Sequence, residues 1–470
     1  MFIFASHDIE NFTFTYSHRY MNSASTSQKR ILILGAGRSA TCLIEHLAQE
    51  ALKNDWQLTV GDYVLSVVEK KTAAFPHVSA IEFDAFEQKH REKYISQSDV
   101  VISMMPTTSH GLIAKTCIRL GKHLITASYT TPEIQQLNTE AQKKGVLILM
   151  EMGLDPGIDH MSAMLMIDKI RSAGGKIEAF KSYSGGLMTQ ESDNIWGYKF
   201  TWNPRNVVIA GQQTVKFLEN GHFKYIPYHQ LFTRTEPVNI TTLPELEVYA
   251  NRDSLHYQEV YGLKEIKTLI RGTLRKKGYC AAWNVLIKLG LTDDTFTIEN
   301  SAGMTYLDFI KSFLDEDQHG LTIGEQIARY VGMDVNSEEM QKFFWLDILN
   351  TDKIELENAS PARILQHYLE KKWALSPNDK DIVVMYHQMD YITLYGKKKT
   401  LISNLFVKGD DGLRTAMAKS VGLNVAIACK LLMQGKITLR GVHIPVSREI
   451  YVPALAELSQ LGFVFEEKEI

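Results

Sequence analysis

Residues 30–48 read RILILGAGRSATCLIEHLA, and this run constrains the fold more than any other. Ile31 to Leu34 are four consecutive apolar residues, the pattern of a short strand buried on both faces. GAGRSA follows at once and opens an apolar-periodic helix. A glycine turn between a buried strand and a helix is the context that the dinucleotide fingerprint GxGxxG/A requires. Gly35 permits the tight turn. Gly37 lets backbone amides approach a pyrophosphate at the helix N-terminus, and Ala40 allows close helix–strand packing. With Ala36, Arg38 and Ser39 between them, these residues form the candidate cofactor loop. The alternative is a structural glycine turn with no cofactor.

The next segments repeat the alternation. QLTVGD (57–62) is a second strand, and its last residue, Asp62, lies about 20 residues beyond the glycine motif. An acid there accepts hydrogen bonds from both ribose hydroxyls of NAD and repels the 2′-phosphate of NADP, so NAD is expected over NADP. VSAIEFDAF gives a third strand, and Asp84 within it is a further cofactor-binding candidate. DVVISMMP (99–106), HLITASY (123–129) and VLILM (146–150) are further strands, separated by helices over 111–121 and 131–145. Strands alternating with helices predict an α/β fold with a doubly wound, parallel Rossmann sheet.

The pattern changes after residue 176. KIEAFKSYSGGL, YKFTWNPRNVVIAG (198–211) and KTLIRGTLRKKGYC (267–280) read as strands of a mixed sheet. From Cys280 to about Lys380 helical spacing dominates, and strands return over 380–411 before a long helix. The expected organisation is a tail (1–28), a Rossmann domain (29–155, completed by 412–470), a mixed α/β substrate and dimerisation domain (156–280 with 381–411), and a small helical domain (281–380). The tail has no basic n-region and does not read as a secretory signal. It reads as a flexible segment, or as an extension upstream of a start at Met21.

Composition narrows the function classes. The net charge is −3, and no basic cluster is interleaved with aromatics, which argues against nucleic acid. No apolar run reaches the length of a membrane span, so no membrane partner is expected. The four cysteines form no CxxC pair and read as reduced core residues of a cytoplasmic protein. A small-molecule substrate is the remaining class.

GLDPGIDH (153–160) lies where the strand VLILM feeds an apolar helix. A metal site would use Asp155, Asp159 and His160, but hydride transfer needs no metal and none is expected. Asp159 precedes an apolar helix and is placed to cap its free amides. Asp155 follows the strand at the carboxyl edge of the sheet, where open α/β sheets bind ligands. In IRGTLR, Arg271, Thr273 and Arg275 share one strand face, and two arginines flanking a hydroxyl suit carboxylate capture.

The order of these motifs resembles saccharopine dehydrogenases of the glutamate-forming type. GLDPGIDH, AGGKIEAFKSYSGGL, SDNIWGYKFTWNPR, NRDS, IRGTLR and TAMAKSVGL all occur in the family's order, from about residue 30 to the C-terminus. The resemblance implies oxidation of saccharopine by a nicotinamide cofactor through an imine to L-glutamate and 2-aminoadipate 6-semialdehyde, or the reverse reduction, in a homodimer. It implies substrate contacts at Ser128, Tyr129, Asp155, Arg252, Thr273 and Arg275, with Arg271 a weaker candidate. Asp155 would hold the substrate ammonium or help move the amine proton, with Tyr129 as a second acid/base group. One departure stands out. The family often has cysteine in SYCGGL, and here the residue is Ser184, so Tyr129 or water would replace a thiol. A dehydrogenase of a related amine such as carboxynorspermidine, or a non-catalytic NAD-binding protein, are the rival readings.

Overall fold

A computed structural model describes residues 28–470 apart from 213, 241–242 and 317–319. The tail expected over 1–28 therefore lies, up to residue 27, outside the described residues. In chain order the first elements are β1 (Arg30–Leu34), α1 (Thr41–Asn54), β2 (Gln57–Asp62), α2 (Leu65–Thr72) and β3 (Val78–Glu82). Then come α3 (Gln88–Ser96), β4 (Val100–Ser103), α4 (Thr107–Leu120), β5 (His123–Thr126), α5 (Pro132–Gln136), α6 (Asn138–Lys143), β6 (Leu147–Leu149) and α7 (Ile158–Ser172). The middle holds β7 (Lys176–Met188), α8 (Pro204–Val208), β8 (Val215–Glu219), β9 (His222–Ile226), α9 (Tyr228–Leu231), β10 (Thr235–Val238), β11 (Leu246–Ala250), α10 (Tyr257–Val260) and β12 (Thr268–Lys276). Helices α11 (Tyr279–Lys288), α12 (Tyr306–Lys311), α13 (Ile323–Val331), α14 (Glu338–Trp345) and α15 (Pro361–Lys372) follow. The chain ends with β13 (Asp381–Ile392), β14 (Lys398–Lys408), α16 (Ala416–Met433), β15 (Gly441–His443), α17 (Arg448–Gln460) and β16 (Phe465–Glu469).

The chain divides into two compact units. The first comprises residues up to Lys176, His387–Val407 and Met417–Ile470. Its seven-stranded sheet has the order β15-β6-β5-β4-β1-β2-β3, and every pairing is parallel. The order reverses direction between β1 and β4, and such a switch point opens a crevice at the carboxyl ends of the strands. Leu32, Leu34, Val101, Leu124 and Ile148 of the sheet pack with Ile113, Cys117 and Ile134 of the helices into one buried cluster. Apolar runs with no alternation make such strands because both faces are covered.

The second unit comprises Ile177–Tyr386 and Lys408–Ala416. Its strands run β10-β11-β12-β7, antiparallel except for the parallel β12–β7 pair, and the β8–β9 hairpin joins β12. Helices α8 to α15 belong to the same unit. Its core is aromatic: the ring of Trp373 lies 5.4 Å from those of Trp196 and Phe200, and Tyr279 stacks on Trp283.

Two expectations need correction here. Residues 198–211 do not form a strand: they contain the short helix α8. Asn203 accepts the amide of Arg205 at 2.9 Å and Pro204 occupies the first turn, which together start a helix. One described helix, α16, does have the length and composition of a membrane span. It is apolar because 78% of that window is buried inside the protein.

Candidate active site

The cofactor loop sits at the switch point of the first unit. Gly35 has a φ of +99°, and a Cβ there would stand 2.8 Å from the carbonyl carbon of Met104, so glycine is required. Gly37 is exposed, and among the described residues other than its chain neighbours no atom lies within 4 Å of where its Cβ would be. The loop therefore presents open backbone at the start of a helix, which fits a pyrophosphate. Asp62 braces the loop: its carboxylate accepts the amide of Ala36 at 2.7 Å and that of Val64 at 3.2 Å. Asp84 likewise accepts the amide of Phe86 at 2.8 Å. From α2, Lys71 donates to the carbonyl of Gly37 and to Thr41 Oγ1, both at 2.7 Å. Burial pulls the Lys71 ammonium down to about 8.

GLDPG (153–157) lies in the loop between β6 and α7, and IDH opens α7. The Asp155–Pro156 peptide is cis. Tyr129 Oη donates to Asp155 Oδ1 at 2.8 Å, so two predicted residues from the carboxyl ends of β5 and β6 meet. The strand exits are tied together by Glu151 N to Ser128 O at 3.1 Å and Met152 N to Thr126 O at 3.0 Å. Ser128, the other predicted residue, bonds His110 Nε2 at 2.8 Å, and Ser103 bonds the opposite ring nitrogen at 3.0 Å. Burial depresses His110 to about 4, so this imidazole is neutral near pH 7.

The two remaining polar residues of the stretch go to structural partners. Asp159 lies inside the first turn of α7 rather than before it, and its carboxylate accepts the amide of Gly157 at 2.6 Å. Asp159 therefore folds back on the turn, because Gly157 and not Asp159 occupies the N-cap position. His160, fully buried, bonds Glu151 at 2.8 Å. Burial alone would raise the Glu151 carboxyl, but the bonds from His160 and Thr130 outweigh it and hold the group below the usual range. Asn424 of α16 donates to the carbonyl of Gly153 at 2.8 Å and fixes the start of the loop.

The other predicted residues belong to the second unit. In NRDS, Arg252 has a φ of +53° and is exposed. That turn is held by Asn251 N to Arg271 O at 2.8 Å, Lys216 N to Arg252 O at 2.9 Å and Ser254 N to Lys216 O at 2.8 Å. Thr273 sits in the sheet between Tyr249 and Ser184. Arg275 is only 5% exposed. Its guanidinium lies 4.9 Å from the Tyr198 ring centre, 5.2 Å from that of Tyr279 and 6.0 Å from that of Tyr249. Burial raises all three hydroxyls, so the cage is neutral. Its Nη1 donates to the carbonyl of Leu274 at 2.9 Å, and its Nε has no partner among the described residues. Arg271 is set apart: it stacks on Tyr257 at 4.4 Å.

Sequence reasoning missed Lys71, His110, Glu151, Asn424 and the three tyrosines. The signal for Glu151 was a charged residue directly after a fully apolar strand. No comparable signal marks Lys71, which reaches the loop from another helix.

A parallel sheet with a glycine loop at its switch point defines the Rossmann class of dinucleotide-binding proteins. The chain belongs, more particularly, to the saccharopine dehydrogenase family. Residues 31–149 match the saccharopine dehydrogenase NADP binding domain, and residues 153–463 match the saccharopine dehydrogenase C-terminal domain. Saccharopine dehydrogenase [NADP(+), L-glutamate-forming] of Saccharomyces cerevisiae is 32% identical, over 94% of this chain and 99% of that one. The structure of the apo L-Glu-forming enzyme from that yeast superposes with a TM-score of 0.83 at 31% identity, over 94% of this chain and all of the other. Alpha-aminoadipic semialdehyde synthase of Arabidopsis thaliana is 33% identical over 94% of this chain. The chain spans about half the length of the semialdehyde synthases it matches.

The expected preference for NAD is corrected by these findings. The matching domain is an NADP binding domain, and the fungal relatives are named for NADP(+). The physical reason lies in Asp62. Its carboxylate braces the glycine loop, so its position at the strand end does not make it a gate against a 2′-phosphate.

Proposed function

We propose that this protein is an NADP-dependent, L-glutamate-forming saccharopine dehydrogenase. Saccharopine carries three carboxylates, and the second unit supplies Arg252, Thr273 and the caged Arg275 to receive them. A guanidinium buried among neutral tyrosines, with a backbone carbonyl as its hydrogen-bond acceptor, favours the arrival of an anion. Asp155 holds the secondary amine or takes its proton, and Tyr129, hydrogen-bonded to it, relays that proton. When bound, the nicotinamide supplies the hydride acceptor for the adjacent C–H bond. The resulting imine is then cleaved by water to L-glutamate and 2-aminoadipate 6-semialdehyde. Ser184 occupies the position of the family cysteine and leaves this proton work to the Tyr129–Asp155 pair. The same reading makes the protein a cytoplasmic homodimer. Four buried cysteines, none of them in a disulfide among the described residues, support the reducing compartment, and the family resemblance supports the dimer.

The observation that carries the reading is the Tyr129–Asp155 bond, at the carboxyl edge of the sheet, in a chain that covers the yeast enzyme end to end. The test is absorbance of reduced nicotinamide with purified protein and saccharopine. NADPH formation is expected, with release of L-glutamate. Faster turnover of carboxynorspermidine, or dinucleotide binding with no turnover of saccharopine, would overturn the reading.

A further inference from the structure

We infer that Lys71 is the residue by which this chain holds the 2′-phosphate of NADP. The inference rests on the NADP-dependent reading above and adds the specificity-determining side chain. A 2′-phosphate differs from a ribose hydroxyl by its negative charge, so it requires a cation beside the adenosine end of the glycine loop. The segment directly after β2, DYVLS (62–66), carries none. Arg38 lies in the loop itself, and Lys71 supplies a second cation from the last turn of α2. Its ammonium sits 2.7 Å from the carbonyl of Gly37 and 2.7 Å from Thr41 Oγ1, at the junction of the loop with α1.

Asp62 accepts the amide of Ala36 and Lys71 donates to the carbonyl of Gly37, so carboxylate and ammonium contact adjacent residues of the same short loop. Both oxygens of Asp62 are engaged with backbone amides, which spreads its charge. An ammonium has three donors, and Lys71 uses two. The third remains for a phosphate oxygen, next to the open space over Gly37. Burial disfavours the charged form of Lys71, and Cys42 and Glu45 of α1 and Asp62 of β2 act electrostatically against that. A phosphate would restore that charge its partner.

The test is equilibrium binding, which needs no turnover. Intrinsic fluorescence titrations of NADPH, NADH, adenosine 2′,5′-bisphosphate and 5′-AMP are compared for wild type, Lys71→Met and Lys71→Arg. Wild type should prefer both 2′-phosphorylated ligands. Lys71→Met should weaken those two roughly 10- to 100-fold, the loss of one charge-assisted bond, and leave NADH and 5′-AMP nearly unchanged. Lys71→Arg should keep the preference. Equal weakening of all four ligands would make Lys71 a brace of the loop and overturn the inference while the NADP reading stands. So would no change in any ligand by a variant with wild-type circular dichroism. A wild type that prefers NADH would overturn both.

Discussion

Tyr129 and Asp155 illustrate what a single hydrogen bond can decide. At 2.8 Å the phenol donates to the carboxylate, so the pair holds one proton between two oxygens at the edge of the sheet. Tyr129→Phe removes the donor and keeps the ring. A group that moves a proton in the transition state contributes roughly 100- to 10,000-fold. Steady-state kinetics with saccharopine should therefore show kcat lowered by about 100-fold or more, with NADPH binding unaltered. A variant with normal kcat and raised KM would reduce Tyr129 to a substrate contact. Asp62 marks the limit of reading a residue from its position. Its place at the end of β2 was legible, but its partners were not. The amide of Ala36 that occupies it comes from another strand end, and only the folded loop brings the two together.

The turn between β6 and α7 shows the same division at the scale of an element. Strand, turn and helix were legible because each depends on near neighbours: an apolar run, then proline and glycine, then helical spacing. The neighbouring misreading of 198–211 as a strand has a local cause as well, because apolar and aromatic content outweighed the Asn203–Pro204 start signal. What no pattern could convey is how tightly the turn is drawn. Gly157 has a φ of +148°, and a Cβ there would stand 2.1 Å from the carbonyl oxygen of Gly153. Gly157→Ala therefore combines a forbidden backbone conformation with a backbone clash. It should cost about 3 kcal/mol or more and displace Asp155. Thermal melting would register the loss, and a variant with unchanged melting temperature would show that the turn can open without penalty. Gly145→Ala is a useful contrast, because it has positive φ but nothing within 4 Å of the added carbon. It should cost only about 1 kcal/mol.

Across the first unit, buried histidines are expected to make stability depend on pH. His123 lies on β5, and its Nδ1 accepts the amide of Leu147 at 3.0 Å, so protonation there breaks a bond between β5 and β6. Burial brings both His123 and His110 down to about 4. An unfolded histidine titrates near 6.5. Between those values the unfolded chain binds the extra protons, so stability is full above about pH 6.5 and falls as pH drops towards 4. For His110 the loss is about 2 kcal/mol by pH 5, and it is smaller for the less buried His123. Glu151 has a linkage of the same sign in a lower window: its depressed carboxyl adds stability that is full above the ordinary carboxylate range and is lost only at still lower pH. Melting followed by circular dichroism between pH 7.5 and 5 isolates the histidine contribution. Wild type should lose roughly 2 to 4 °C over that span, since each kcal/mol moves a chain of this size by about 1 °C. His110→Asn combined with His123→Asn should melt lower at pH 7.5 but with a flatter dependence on pH. Parallel curves for variant and wild type would show that these imidazoles titrate alike in the folded and unfolded chain, and that the pH dependence arises elsewhere.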